Sequence, residues 1–259
     1  GDGLLLVVTG AGASQASGVP TFRGQDPGAV WRRSDTSVAT WAYFQMDPVG
    51  QWVWYIGRFE AMANARANPA HEAIAWLERW HEARGGRFRL VTQNIDLLHE
   101  AAGSRDTIKV LGTSARVRCS VVGCPYGAPT GSISRKAVDL KAFARQPSLP
   151  SVPTCPECAA LVRVHVLLFD ETYTGHLDYR FEEVEQAAQE AELMLFVGTS
   201  FSVGVTDLLL RAGLERGVPM FSVDPAGGGG PFRAPLIPLA AAAEELLPAL
   251  REELTRRTS

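Results

Sequence analysis

Lysine is scarce in this 259-residue chain: only Lys109, Lys136 and Lys141 stand among 25 basic residues, and the others are arginine. That bias points to GC-rich, bacterial-type coding and carries little chemistry. A large excess of charge is also missing. Twenty-eight acidic residues leave a formal net charge of -3, which gives no reason to expect nucleic acid or a membrane surface as partner. No apolar run approaches the ~20 residues that a membrane span requires. The opening "GDGLLLVVTGAG" is short and lacks the basic start of a secretory signal, so it reads as a core strand. The four cysteines fall in two close pairs. Too few for a disulfide scaffold, they point to a metal site in a cytoplasmic chain. No internal repeat is visible.

What is present reads as an α/β protein. The hydrophobic share of 46% with 20% charged residues suits a globular chain. Its length allows one large domain, or one carrying a smaller insert. Short apolar runs bounded by turn residues, at 4–10, 87–94, 107–112, 164–169, 193–200 and 219–224, alternate with helical patterns at 49–65, 70–84, 181–191, 204–216 and 240–254. Strands apolar on both faces predict a doubly wound, Rossmann-type parallel sheet covered on both sides. Two stretches depart from the alternation. They predict a large lobe from 1–20, 71–112 and 164–259, and a small lobe from a helical insert (21–70) and a cysteine module (113–163).

Four motifs carry chemistry. "TGAGASQASGVPTFRG" (9–24) follows the first strand, where glycines let backbone approach a pyrophosphate. A glycine turn alone is a weak signal, and this spacing is not the usual dinucleotide fingerprint. "TQNIDLLHEAAG" (92–103) places Gln93, Asn94 and Asp96 at another strand end, although Asn94 or Asp96 could equally cap the next helix. Cys119, Cys124, Cys155 and Cys158 have the paired spacing of a structural four-thiolate Zn2+ site with no open position for water. "VGTSFSVG" (197–204) presents Gly198, Thr199 and Ser200 at a third strand end. Asp224 at a fourth could accept from a ribose hydroxyl, or simply form a "DP" turn.

In order and wording these segments resemble the sirtuins, the NAD-dependent protein deacylases, over almost the whole chain. The resemblance implies one catalytic domain, with NAD in a cleft between a Rossmann-type lobe and a zinc-plus-helix lobe. It implies that Gly10, Ala11, Ser14, Phe22 and Arg23 line the NAD loop. Gln93, Asn94 and Asp96 would serve the nicotinamide ribose as catalytic residues, and Gly198, Thr199, Ser200 and Asp224 the adenosine side. Within "WVWYIGRF" (52–59), Tyr55 and Arg58 share one helix face. In the sirtuin class that removes succinyl, malonyl or glutaryl groups, a Tyr and an Arg at this spacing bind the acyl carboxylate. A guanidinium forks onto a carboxylate and a phenol adds one hydrogen bond. The bland alternative is an amphipathic helix with Tyr55 in the core and Arg58 in solvent.

Against that background one residue is missing. The family carries its catalytic His, followed by Gly, eight residues before the first zinc cysteine. Here that position is Leu111, followed by Gly112, and the five histidines lie at 71, 81, 99, 165 and 176. Near Phe169 the family's Phe-Gly-Glu reads Phe169-Asp170-Glu171, which is expected to set bulk and negative charge beside the substrate. The resulting expectation is an NAD-consuming enzyme acting on acyl-lysine of the succinyl or malonyl kind, or on a related amide, with weakened or altered chemistry. Two alternatives stand: ADP-ribosyl transfer or imidate-forming amide activation, and a silent NAD- and acyl-binding protein.

Overall fold

The computed structural model describes residues 3–21, 36–202, 204–227 and 236–258. Among them nine strands run in chain order: β1 (Leu4–Thr9), β2 (Arg87–Thr92), β3 (Thr107–Lys109), β4 (Gly112–Cys119), β5 (Ile133–Ser134), β6 (Val162–Val166), β7 (Ala191–Val197), β8 (Met220–Val223) and β9 (Leu236–Leu239). The helices that matter below are α1 (Trp41–Met46), α2 (Pro48–Ala63), α3 (Pro69–Glu82), α4 (Phe181–Glu190), α5 (Gly204–Arg216) and α6 (Ala243–Thr258).

Six strands form one parallel sheet in the order β3-β2-β1-β7-β8-β9. The period-two geometry of a strand explains why β1 is buried throughout. Leu4, Leu6 and Val8 enter one core with Met194 and Phe196, closed by Val184 of α4 and Leu209 of α5. Leu5 and Val7 enter the opposite core with Leu90 and Val197, closed by Ile74 of α3 and Leu247 of α6. A capping box starts α3: the Asn68 side chain accepts from the Ala70 and His71 amides, and Pro69 opens the first turn. The sheet grows outward from β1 in both directions, so β1 and β7 flank a switch point. The loops leaving β1, β2, β7 and β8 therefore converge at one edge, where such sheets bind ligands.

A second body is built on the antiparallel sheet β5-β4-β6. Its core gathers Trp52, Tyr55 and Phe59 of α2 with Phe143, Val117, Val162, Val164 and three of the cysteines. Trp52 Nε1 donates to Val162 O at 2.8 Å and pins α2 to β6.

The structure departs from the sequence reading in two strands. The run 164–169, expected in the parallel sheet, contributes instead to β6, which pairs antiparallel with β4. Both of its faces are buried, one lined by Val162, Val164 and Val166 and the other carrying Arg163 and His165, so burial alone does not distinguish it from a parallel core strand. The edge strand β9 was not anticipated: it is largely exposed and contains Pro238, which an edge position tolerates. Among the described residues no helix is long and apolar enough to cross a membrane.

Candidate active site

A cleft of about 1210 Å³ lies at the switch point, open toward the second body. Gly10, Ala11, Ser14, Gln93, Asn94, Asp96, Gly198, Thr199, Ser200 and Asp224 all line it, and so do Tyr55, Arg58, Leu111 and Phe169. Phe22 and Arg23 lie outside the described residues.

The turn after β1 is a narrow cradle. The Gly12 amide donates to Gly198 O at 2.9 Å, and a Cβ on Gly10 would sit 2.7 Å from that same oxygen. Gly198 itself has φ +58 and no room for a side chain against Gly12 and Ala13. Glycine is required for the two loops to pass this closely. That cradle fits a pyrophosphate, which approaches backbone amides where side chains are absent.

The polar cluster beside it is tightly wired. Asn94 Nδ2 donates to Gly10 O at 3.0 Å and to Ser14 Oγ at 3.1 Å, and Ser14 Oγ donates to Asp96 Oδ2 at 2.9 Å. The other Asp96 oxygen accepts from the Leu98 amide, so the carboxylate both caps the next turn and faces Ser14. Gln93 Nε2 donates to Thr199 Oγ1 at 3.2 Å, which joins the β2 and β7 loops. Asp224 Oδ1 accepts from the Ala226 amide in the turn suggested by its "DP".

His71 belongs to this network and was not singled out from sequence. Its Nδ1 accepts from the Asn68 amide at 3.3 Å, which leaves Nε2 carrying the hydrogen toward Ser14 Oγ, 3.4 Å away. Burial is the main reason its pKa lies below the usual value, so the ring is neutral. The available signal was local: Asn68-Pro69 with His71 three residues after the cap.

On α2, Tyr55 and Arg58 are one turn apart and both line the cleft. Arg58 is half-buried, its guanidinium carbon 4.7 Å from the centre of the Trp54 ring. Burial pushes its pKa down, with Tyr55 opposing. Burial raises the Tyr55 phenol, and Arg58 and Arg163 pull the other way. A desolvated guanidinium on an aromatic face, with a neutral phenol beside it, suits a carboxylate.

Leu111 lines the cleft and packs partly against two of the cores. Its carbonyl accepts from the Leu167 amide at 3.0 Å. Gly112 has φ +83, and a Cβ there would collide with His165 O. Only glycine fits this turn, and the turn sets where side chain 111 points.

Asp170 has partners that its sequence context does not announce. Its carboxylate does not line the cleft but accepts from the Trp41 and Ala42 amides at 2.6 and 3.0 Å, across 129 and 128 residues of chain. The free amides at the start of α1 explain this placement, since a helix N-terminus attracts an anion. Burial acts against the charge, but those amides outweigh it and hold Asp170 below the usual carboxylate range. Its neighbour Glu171 is the acid that reaches the cleft. It is clamped by Arg163 at 2.6 and 2.9 Å and by Arg118 at 3.0 Å.

The four cysteines come together as a group whose sulfurs all lie within 4.8 Å of one another. Cys119 Sγ is 3.4 Å from Cys158 Sγ, and Cys124 Sγ is 3.6 Å from Cys155 Sγ. These distances are too long for disulfides and close to the separation of about 3.8 Å set by four roughly 2.3 Å zinc–thiolate bonds. The donors fit zinc. A mercurial reagent that titrates the thiols is expected to release one zinc per chain, read with a colorimetric chelator; no thiol-linked zinc would rule the site out.

Comparison with known proteins settles the family. The Sir2 family model matches residues 10–205. The chain belongs to the Sir2 family. An NAD-dependent protein deacylase of Thermus thermophilus is 36% identical over 237 residues, covering 91% of this chain and 82% of that protein. The mitochondrial NAD-dependent protein deacylase sirtuin-5 of Xenopus tropicalis is 35% identical, covering 83% of this chain and 71% of that protein. The structure of a Sir2 homologue in complex with NAD superposes with a TM-score of 0.79 at 32% identity, covering 99% of this chain and 91% of that one. This sirtuin-family enzyme thus has its cleft at the edge where the Sir2 motifs meet.

Proposed function

We propose that this sirtuin is an NAD-dependent acyl-lysine deacylase of the acidic-acyl type, slowed or diverted at the step that needs a general base. NAD supplies a nicotinamide leaving group and an electrophilic ribose carbon. The Asn94–Ser14–Asp96 cluster positions that ribose and presents negative charge to the carbon that becomes positive, the differential stabilisation on which bond cleavage depends. Arg58 and Tyr55 hold the acyl carboxylate, and Glu171 with its two arginines stiffens the wall between them and β6.

The observation that carries the reading is Leu111 in the same cleft as Asn94, Asp96 and Arg58. Among the described cleft-lining residues there is no histidine. Asp96 is engaged by Ser14, Glu171 is held low by its arginines despite burial, and burial raises Tyr55 and Tyr173. Neither Glu171 nor the two tyrosines is poised as a base near neutral pH. The cleft therefore supports the NAD-cleaving half of the reaction better than the proton-removing half. That imbalance also favours the second reading, in which another nucleophile intercepts the activated amide or the ADP-ribosyl group.

Mass spectrometry after incubation with NAD and a succinyl-lysine peptide tests the proposal. Nicotinamide with slowly accumulating O-succinyl-ADP-ribose is expected. Nicotinamide without the O-acyl product moves the assignment to transfer, and the absence of nicotinamide release overturns both.

A further inference from the structure

The cleft and the cysteines leave one cluster unused. His165 lies in β6 with 1% of its surface exposed; its Nδ1 has no hydrogen-bond partner among the described residues, and the polar neighbour of its Nε2 is the Asp178 carboxylate. A buried imidazole with an unsatisfied nitrogen is costly, and such groups often mark the place of an ion or water. Next to it stands His176, edge-on at 4.6 Å between ring centres, and then Asp178. The three side chains offer ligand atoms that all lie within 4.8 Å of one another.

We propose that His165, His176 and Asp178 form a second metal site, separate from the four cysteines: a face of two imidazoles and one carboxylate for a borderline divalent cation such as Zn2+ or Ni2+. His165 Nε2 lies 3.2 Å from Asp178 Oδ2, and His176 Nδ1 lies 3.8 Å from the same oxygen. Tetrahedral ligands at roughly 2.0–2.1 Å from zinc are about 3.3 Å apart, so small side-chain rotations close the set.

The hydrogen bonds around the cluster already orient it. His176 Nε2 is 3.0 Å from Gly131 O, and a carbonyl only accepts, so Nε2 bears the hydrogen and the Nδ1 lone pair faces Asp178. This is the arrangement that metal-ligating histidines adopt, the far N–H bound to a backbone carbonyl. Ser132 Oγ donates to Asp178 Oδ2 at 3.1 Å, and Arg116 holds that serine at 2.6 Å. An incoming ion displaces one contact, the Asp178 amide donating to His176 Nδ1 at 3.1 Å. The Asp178 side chain is 43% exposed, which gives the ion an entry path and leaves its remaining positions to water.

Charge selects the ion. Arg118 stands near both histidines and Arg116 near His176, and these charges oppose any cation electrostatically. Glu171 offsets only part of the Arg118 charge, because it is shared with Arg163. A hard ion held by charge alone, such as Mg2+ or Ca2+, is disfavoured here and prefers oxygen donors in any case. Ions that bond strongly to imidazole nitrogen are not excluded by the same field.

The test uses the whole enzyme with its cysteine-bound zinc in place. After equilibrium dialysis against low micromolar Zn2+ or Ni2+, wild type is expected to hold one metal equivalent beyond the zinc released by a mercurial. Asp178→Asn and His176→Gln should each weaken that equivalent at least tenfold, and millimolar Mg2+ should not displace it. Co2+ in the same position should give d–d bands without thiolate-to-cobalt charge transfer. The proposal is overturned by wild type holding no second equivalent, by a second equivalent that persists in both variants, or by cobalt bands of thiolate character. The wild-type stoichiometry decides even if a variant folds poorly.

Discussion

Leu111→His raises O-acyl-ADP-ribose formation from a succinyl-lysine peptide by at least about tenfold, a tenth of the low end of the ~10²- to 10⁴-fold that a well-placed general base contributes, the rest being lost to imperfect placement. The backbone is already arranged for it. Gly112 must be glycine where it meets His165 O, and the Leu111 carbonyl is tied to the Leu167 amide, so residue 111 presents its side chain to the cleft whatever its identity. Leu111 also packs partly against two cores, so the variant is expected to melt somewhat earlier, and activity should be compared well below the transition. Asp170 need not be altered in the same protein: its carboxylate is engaged at the start of α1, and Asp170→Gly is expected to cost about 0.5–2 kcal/mol as a lost helix cap. If Leu111→His forms no more O-acyl product than wild type while both release nicotinamide, deacylation is not the reaction of this cleft.

Arg58→Met weakens succinyl-lysine binding by roughly 2–5 kcal/mol, the loss expected when one partner of a desolvated charge pair is removed, or about 30-fold and upward. Acetyl-lysine, which brings no carboxylate, should change by less than about threefold. The contrast follows from geometry: Arg58 is half-buried beside the Trp54 ring and one turn from Tyr55, and among the described cleft-lining residues it is the one cation a carboxylate can pair with. Competition binding with the two peptides on the same NAD-loaded protein measures it. Parallel losses for both peptides would reduce Arg58 to a packing residue of α2 and remove the acidic-acyl assignment.

What the sequence by itself determined are the features written in short spacings. The Gly-rich turn at 9–24, the polar triplet Gln93, Asn94 and Asp96, and "VGTSFSVG" each follow an apolar strand directly, so their place at strand ends could be read locally. The cysteine pairs and the position eight residues before Cys119 could be reached by counting, which is how Leu111 was found where the resemblance implies a histidine. Five helices were likewise visible in their periodicity. Tertiary structure alone decided partners across long stretches of chain. The run 164–169 reads as a parallel core strand because His165 is its only polar residue, yet register with β4 places β6 in the second sheet, with Arg163 and His165 on one buried face. Asp170 reads in sequence as charge near a substrate, and only the fold shows that two amides of α1, 128 and 129 residues away, donate to its carboxylate. His71 meets Ser14 across 57 residues, and His165 meets Asp178 across a turn no periodicity announces. A sequence pattern states which side chains an element turns inward. It does not state what they meet there, because hydrogen bonds and ion pairs are selected by packing, and packing is a property of the assembled layers.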